Sequence, residues 1–218
     1  MTRGARISLA LVAAFVVAAG AILLVGRANS DSHDPHTDTA GLAAEVARPD
    51  SHRISSAPAG SPTLVEFLDF ECPACAGAYL AIEDLRAEYG DRVDFVVRYY
   101  PLRMHFNAER AARAVEAAAQ QGKFEQMVQR VYETQTEWGN QRVPKDDYFR
   151  GLALELGLDM TAFDAAYDDP ATAARIVEDV ADGKALGVEG TPTFFLNGQL
   201  FQPNSIQDIT DALDAALN

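Results

Sequence analysis

Thr63-Leu64-Val65-Glu66-Phe67-Leu68-Asp69-Phe70-Glu71-Cys72-Pro73-Ala74-Cys75 decides the fold. Thr63 to Phe70 is an apolar, β-branched and aromatic run that predicts a strand, and Ala76 to Tyr89 carries a helical pattern. The only two cysteines of the chain fall at the junction. A thiolate at Cys72 would meet the unpaired N–H groups and the dipole of the helix start, which favour negative charge. Pro73 at the first helical position gives up no hydrogen bond. Cys75, one turn further in, is within reach of Cys72, so the pair can cycle between dithiol and disulfide.

The spacing alone also fits half of a zinc site or a static clip. Zinc asks for four ligands, or three and a water, and no second cysteine pair exists. His33, His36, His52 and His105 are scattered. A clip closing so short a loop restricts few unfolded conformations and adds little stability. Redox use is the preferred reading, with the static clip as its alternative.

The 218 residues hold one large or two small domains, and the 48% hydrophobic and 23% charged content is that of a globular protein. Residues 1–60 carry five basic and five acidic side chains, so the net charge of −14 resides on residues 61–218. Such an acidic body repels phosphate backbones, which argues against nucleic acid as a partner.

Arg3 and Arg6 precede nineteen uncharged residues, Ile7 to Val25. That exceeds a secretory signal's apolar core and matches a membrane span. Residues 1–27 are expected to form a cytoplasmic N-terminus and a single-pass anchor, with everything after Arg27 outside the cytoplasm. Cleavage after Ala28, giving a secreted protein, is the alternative. Residues 28–47 lack apolar periodicity and read as a tether, in which His33 and His36 belong to a solvated linker rather than to a metal site.

Beyond the tether, Arg48 to Ile54 suggests a short edge strand, and Val93 to Tyr100 a strand ended by Pro101. Strand, helix, strand gives two parallel neighbours. Helical patterns follow at Ala108–Gln121, Lys123–Thr136, Asp146–Leu156, Thr161–Tyr167 and Thr172–Leu186. Thr193 to Leu196 and Gln199 to Phe201 flank the hairpin signal Asn197-Gly198, and Ser205 caps a last helix to Leu217 with Asp208 in the capping-box position. The fold class is α/β: a small sheet with a helical insertion.

Cys72-Pro73-Ala74-Cys75 after its strand, together with Gly190-Thr191-Pro192-Thr193-Phe194-Phe195 and Asn197-Gly198, resembles the DsbA-like branch of the thioredoxin superfamily, nearest to its membrane-anchored bacterial members. The likeness runs from about Arg48 to the C-terminus, and 116 residues separate Cys75 from Pro192, room for the helical domain of that branch. It implies a thioredoxin-like domain at 48–102 and 187–218 with a helical insertion at 103–186. It implies a cis Thr191–Pro192 bond against the disulfide, with Thr191, Pro192, Pro73 and Ala74 forming the substrate-binding edge. Glu66 stands where the family often has a buried acid, a candidate proton shuttle to Cys75. The bland alternative is a partly exposed Glu66 paired with Arg98.

The implied activity is thiol:disulfide exchange that introduces disulfides into exported proteins, with Cys72 attacked and Cys75 resolving. No cofactor is needed, because the disulfide carries the electrons. A membrane quinone-linked oxidase of DsbB or vitamin-K-epoxide-reductase type is the implied electron acceptor. Ala74 departs from the family's best-known oxidases, which have histidine there. That keeps a reductase or isomerase open, and a peptide-binding chaperone with an inert disulfide is the alternative of another class. His105 reads as part of the passage into the helical domain rather than as a substitute acid or base.

Overall fold

The computed structural model describes residues 46–218. The expected anchor at residues 7–25 and nearly all of the tether lie outside the described residues. No helix among the described residues is long and apolar enough to cross a membrane.

Strands β1 (His52–Arg53), β2 (Thr63–Leu68), β3 (Asp94–Tyr99), β4 (Thr193–Leu196) and β5 (Gln199–Phe201) form one sheet in the order β1-β3-β2-β4-β5. Helix α1 (Pro73–Tyr89) connects β2 to its parallel neighbour β3, in register Thr63↔Asp94 to Leu68↔Tyr99. The other pairings are antiparallel. Asn197 (φ 52°) and Gly198 (φ 80°) both take positive φ between β4 and β5, the geometry of a two-residue type I′ hairpin. Helix α8 (Ile206–Leu217) closes the chain, with the Ser205–Asp208 capping box formed in both directions.

Between β3 and β4 run α2 (Ala108–Ala119), α3 (Phe124–Glu133), α4 (Gln135–Trp138), α5 (Asp146–Glu155), α6 (Met160–Asp168) and α7 (Pro170–Ala185). Helix α2 is central among them, in contact with α3, α5, α6 and α7. Its buried Ala111, Ala114, Ala117 and Ala118 let those neighbours approach closely. Around it Met127, Val131, Trp138, Phe149, Phe163 and Ile176 join one buried cluster that also includes both cysteines.

Several boundaries differ from the sequence expectation. The strand expected to reach Phe70 ends at Leu68, because the Asp69 carboxylate turns the chain by accepting the Glu71 N–H at 2.7 Å. The single helix expected over 123–136 breaks at Thr134, whose hydroxyl donates back to the Arg130 carbonyl at 2.7 Å. The edge strand shrinks to His52–Arg53. Helix α7 begins at Pro170, two residues before the expected Thr172, with the Asp169 side chain as its N-cap.

Alternation along the strands overturns the Glu66–Arg98 pairing. Glu66 lies opposite Val97 on β3, so Arg98 points to the other face. There its fully buried guanidinium donates to Asp179 at 2.8 Å, Asp182 at 2.6 Å and the Val46 carbonyl at 2.7 Å. Helix α7 comes close enough to supply both aspartates because Gly183 faces Tyr100 and Phe67, where a Cβ would stand 2.7 Å from the tyrosine ring.

Candidate functional site

Cys72 is the N-cap of α1, extended at φ −71° and ψ 122°, and Pro73 begins the helix. Both cysteines are free thiols 3.8 Å apart. Cys72 is 7% exposed and Cys75 1%. Pro73 and Ala74 between them face solvent. The first turn of α1 therefore presents one sulfur near the surface and keeps the other beneath it.

The two sulfurs differ sharply in proton affinity. Cys72 is lowered to about 5, chiefly because the Cys75 thiol donates to its sulfur. Burial works against this, while the Thr191 hydroxyl and the N–H groups of Cys75 and Ala74 add to it. Cys75 is pushed far up, because its proton is engaged by Cys72, because it is buried and because the charge of Glu66 is near. At neutral pH the reduced pair is a thiolate over a thiol.

The Thr191–Pro192 peptide bond is cis, and the Cys72 sulfur lies 3.3 Å from the Thr191 carbonyl oxygen, to which it donates when protonated. The Thr191 hydroxyl is buried without a hydrogen-bond partner, and it lies near enough to the Cys72 sulfur to favour its ionised form. The turn before β4 thus lies against the N-terminus of α1, and the predicted Cys72, Cys75, Thr191 and Pro192 come together.

Glu66 is half-buried on the face of β2 toward α1, in a pocket with Leu68, Tyr79, Val97 and Tyr132. Its carboxyl is raised to about 8, first by burial and then by the charges of Glu83 and Cys72. It stays largely protonated at pH 7. That suits a group exchanging a proton with a buried thiol.

The sequence reading gave no role to the acids flanking the strand end. Asp69 accepts from the Leu102 N–H at 2.8 Å and meets His105 at 2.7 Å, which ties the β3–α2 connection to the turn before Cys72. His105 therefore acts through Asp69 and not at the sulfurs. Glu71, only 2% exposed, accepts the N–H groups of Asn107 at 2.6 Å and Asn140 at 3.0 Å. The Gln135 amide donates to the carbonyls of Phe70 at 2.7 Å and Cys72 at 3.0 Å. The one available signal was two acids in an otherwise apolar stretch, Asp69 and Glu71, since buried carboxylates need donors. Among the described residues no group of three or more His, Cys, Asp or Glu is placed to hold a metal ion.

A family model described as thioredoxin matches residues 50–215. Among curated relatives, a protein named Na(+)/H(+) antiporter NhaA from Herminiimonas arsenicoxydans is 39% identical over 155 residues, 71% of this chain and 24% of the relative. Another of that name from Mycolicibacterium vanbaalenii is 40% identical over 140 residues, 62% of this chain and 21% of the relative. The chain spans about a quarter of the length of these relatives. Among solved structures, a thioredoxin-like oxidoreductase from Silicibacter pomeroyi superposes with a TM-score of 0.65 at 28% identity, covering 77% of this chain and 92% of that one. Wolbachia pipientis α-DsbA1 gives 0.69 at 17% identity over 78% and 92%. DsbA from Xylella fastidiosa gives 0.61 at 24% identity over 76% and 94%. The chain belongs to the thioredoxin family, and its fold, a sheet interrupted by helices, is like that of the DsbA structures.

Proposed function

We propose that this protein is a membrane-tethered, extracytoplasmic thiol:disulfide oxidoreductase that introduces disulfides into exported proteins. The observation that carries the reading is the split between the two sulfurs, a near-surface Cys72 that ionises at about 5 and a buried Cys75 that holds its proton. A substrate thiolate attacks the Cys72 sulfur and Cys75 leaves. The substrate's second thiolate then attacks its own sulfur in the mixed disulfide and expels Cys72 as a thiolate. A low Cys72 pKa favours that expulsion. The disulfide itself is the electron carrier, so no cofactor is required.

The edge beside Thr191 and Pro192, with exposed Pro73 and Ala74, suits an extended chain presenting its backbone and a thiol. In this reading residues 48–102 and 187–218 act as the oxidoreductase domain, 103–186 as an insertion bracing the active-site turn, and 7–25 as the anchor. The anchor would keep the dithiol near a quinone-linked membrane oxidase of DsbB or vitamin-K-epoxide-reductase type. Antiport, which the names of the curated relatives state, is not proposed, since the match involves a quarter of their length.

The test is the equilibrium of Cys72 and Cys75 against glutathione buffers, read by thiol alkylation. A potential of about −120 to −180 mV is expected of an oxidant. A value near about −270 mV would reverse the electron flow and favour the reductase or isomerase, for which Ala74 is the supporting residue. Cys72→Ser is expected to abolish exchange; retention of full function by that variant would instead fit a peptide-binding chaperone.

A further inference from the structure

Glu66 and Tyr132 both line the pocket between β2, α1 and α3, and among the described residues neither side chain's polar group has a hydrogen-bond partner. The pocket's volume is about 30 Å³, enough for a water molecule, and its walls are otherwise mostly apolar. The Tyr132 hydroxyl has neither donor nor acceptor although the residue is 7% exposed. The Tyr132 ring packs on Phe70 at 5.4 Å and Tyr79 at 4.9 Å, contacts that phenylalanine would make equally well. A buried hydroxyl left unmatched is costly, so its retention needs a partner.

We propose that Tyr132 is a positioning residue for the proton movements of the dithiol, its hydroxyl and a pocket water binding the Glu66 carboxylate and holding the route between Glu66 and Cys75. This rests on the redox reading above. When a thiolate attacks Cys72, the sulfur–sulfur bond breaks and Cys75 leaves as a thiolate. Glu66 gives it a proton and becomes a carboxylate, and solvent returns a proton through the pocket. In the reverse step the carboxylate takes the Cys75 proton as Cys75 attacks a mixed disulfide on Cys72. Burial raises the Tyr132 phenol well above its usual range, so it keeps its own proton throughout and serves only as a hydrogen-bond donor.

Other charged and titratable groups surround this route. Glu83 and Arg86 of α1 and Glu125 of α3 lie at its mouth, where Arg86 is paired with both glutamates. Tyr79 lines the wall, Asp69 and Cys72 are near Tyr132, and His52 stacks on Phe124 at 4.0 Å. None of these supplies a hydrogen bond to Glu66, which leaves Tyr132 as the buried donor in the pocket.

The test follows the Glu66 carboxyl by carbon NMR in the full-length protein, with Glu66→Gln assigning the signal. Wild type is expected to titrate near 8. Tyr132→Phe should raise that midpoint by about half a unit to one unit, because the ionised form loses a donor. The mixed disulfide formed on Cys72 by oxidised glutathione should persist about three- to tenfold longer, since Cys75 loses its route for the proton. The thiolate absorbance of Cys72 should not move, and adding Tyr132→Phe to Glu66→Gln should slow the Cys75 step no further. An unmoved Glu66 midpoint, or additive slowing in the double variant, overturns the proposal while leaving the redox reading intact. A wild-type protein that does not exchange with glutathione at all overturns both.

Discussion

The two faces of the sheet each bury an ionisable group at almost the same height, and they treat it in opposite ways. On one face Arg98 is matched by Asp179, Asp182 and a backbone carbonyl. On the other, Glu66 receives no protein donor and responds by keeping its proton to about 8. A buried charge with every partner in place fixes structure, joining α7 to β3. A buried acid without one retains a freely exchangeable proton, and here it lies beside the dithiol. The satisfied face holds the scaffold, and the unsatisfied face is the one that carries the dithiol.

The contrast breaks most visibly at Asp179. Asp179→Ala removes an acceptor from buried Arg98 and from the Tyr99 N–H, which it binds at 2.9 Å. Unfolding in urea should reveal a loss of about 3–5 kcal/mol. A loss below about 1 kcal/mol would mean that Asp182 and the Val46 carbonyl suffice for Arg98. The next largest effect is expected at Glu71→Ala, which leaves the N–H groups of Asn107 and Asn140 without their acceptor. Thermal unfolding should report about 2–3 kcal/mol less stability.

Glu66→Gln should act with the opposite sign. The unfolded chain ionises Glu66 at 4.5 and the folded protein at about 8, so between those values the folded state binds more protons. Wild-type stability therefore falls as pH rises through this window, and the loss is complete above 8. Glutamine has no such window. The variant should match wild type near pH 4 and exceed it at pH 8.5 by roughly 2–5 kcal/mol, the upper figure being the full shift and the lower allowing for solvent screening of a half-buried group, measured by urea unfolding at both values. Equal stability at both would mean that Glu66 is hydrated well enough to ionise normally.

What the sequence made legible divides along the same line. The two central strands, the redox helix, the Asn197-Gly198 hairpin and the Ser205 capping box are set by neighbouring residues, and all are found. The cis bond before Pro192 and its approach to Cys72 came through the resemblance carried by Gly190 to Phe195. The brace around the active-site turn was not legible. Glu71 meets Asn107 and Asn140 at separations of 36 and 69 residues, and Gln135 reaches Phe70 across 65. Nothing in periodicity or capping encodes such pairings. The alternative pairing of Glu66 with Arg98 fails because strand alternation depends on register, and the register Glu66↔Val97 is fixed by the whole β2–β3 pair. Tyr132 received no role from the sequence, since a pattern of buried spacings does not show which hydroxyl will lack a partner.

The smallest expected effect tests whether the dithiol itself follows the rule of satisfied and unsatisfied groups. The Thr191 hydroxyl is buried without a hydrogen-bond partner, yet it helps hold Cys72 at about 5. It is near enough to the sulfur to favour the charged form, although it makes no hydrogen bond of ordinary geometry. Thr191→Val keeps the shape and removes the hydroxyl. The Cys72 midpoint, followed by thiolate absorbance near 240 nm, should rise by about 0.5–1 unit, because a group favouring the charged form is lost. The rise stays modest because the Cys75 thiol is the strongest donor and remains. A depressed Cys72 pKa adds stability to the reduced protein that grows from pH 5 to 9, is full above 9 and is lost as pH falls through 5. In the variant the lower edge of that window moves up, so reduced Thr191→Val loses its acid-side stability earlier than wild type while the oxidised forms stay matched. The weaker thiolate also lowers the reduction potential of the Cys72–Cys75 pair by about 10–30 mV. If the midpoint instead stays at 5, the Cys75 thiol and the helix N–H groups hold the charge unaided, and Thr191 serves the site through its backbone carbonyl alone.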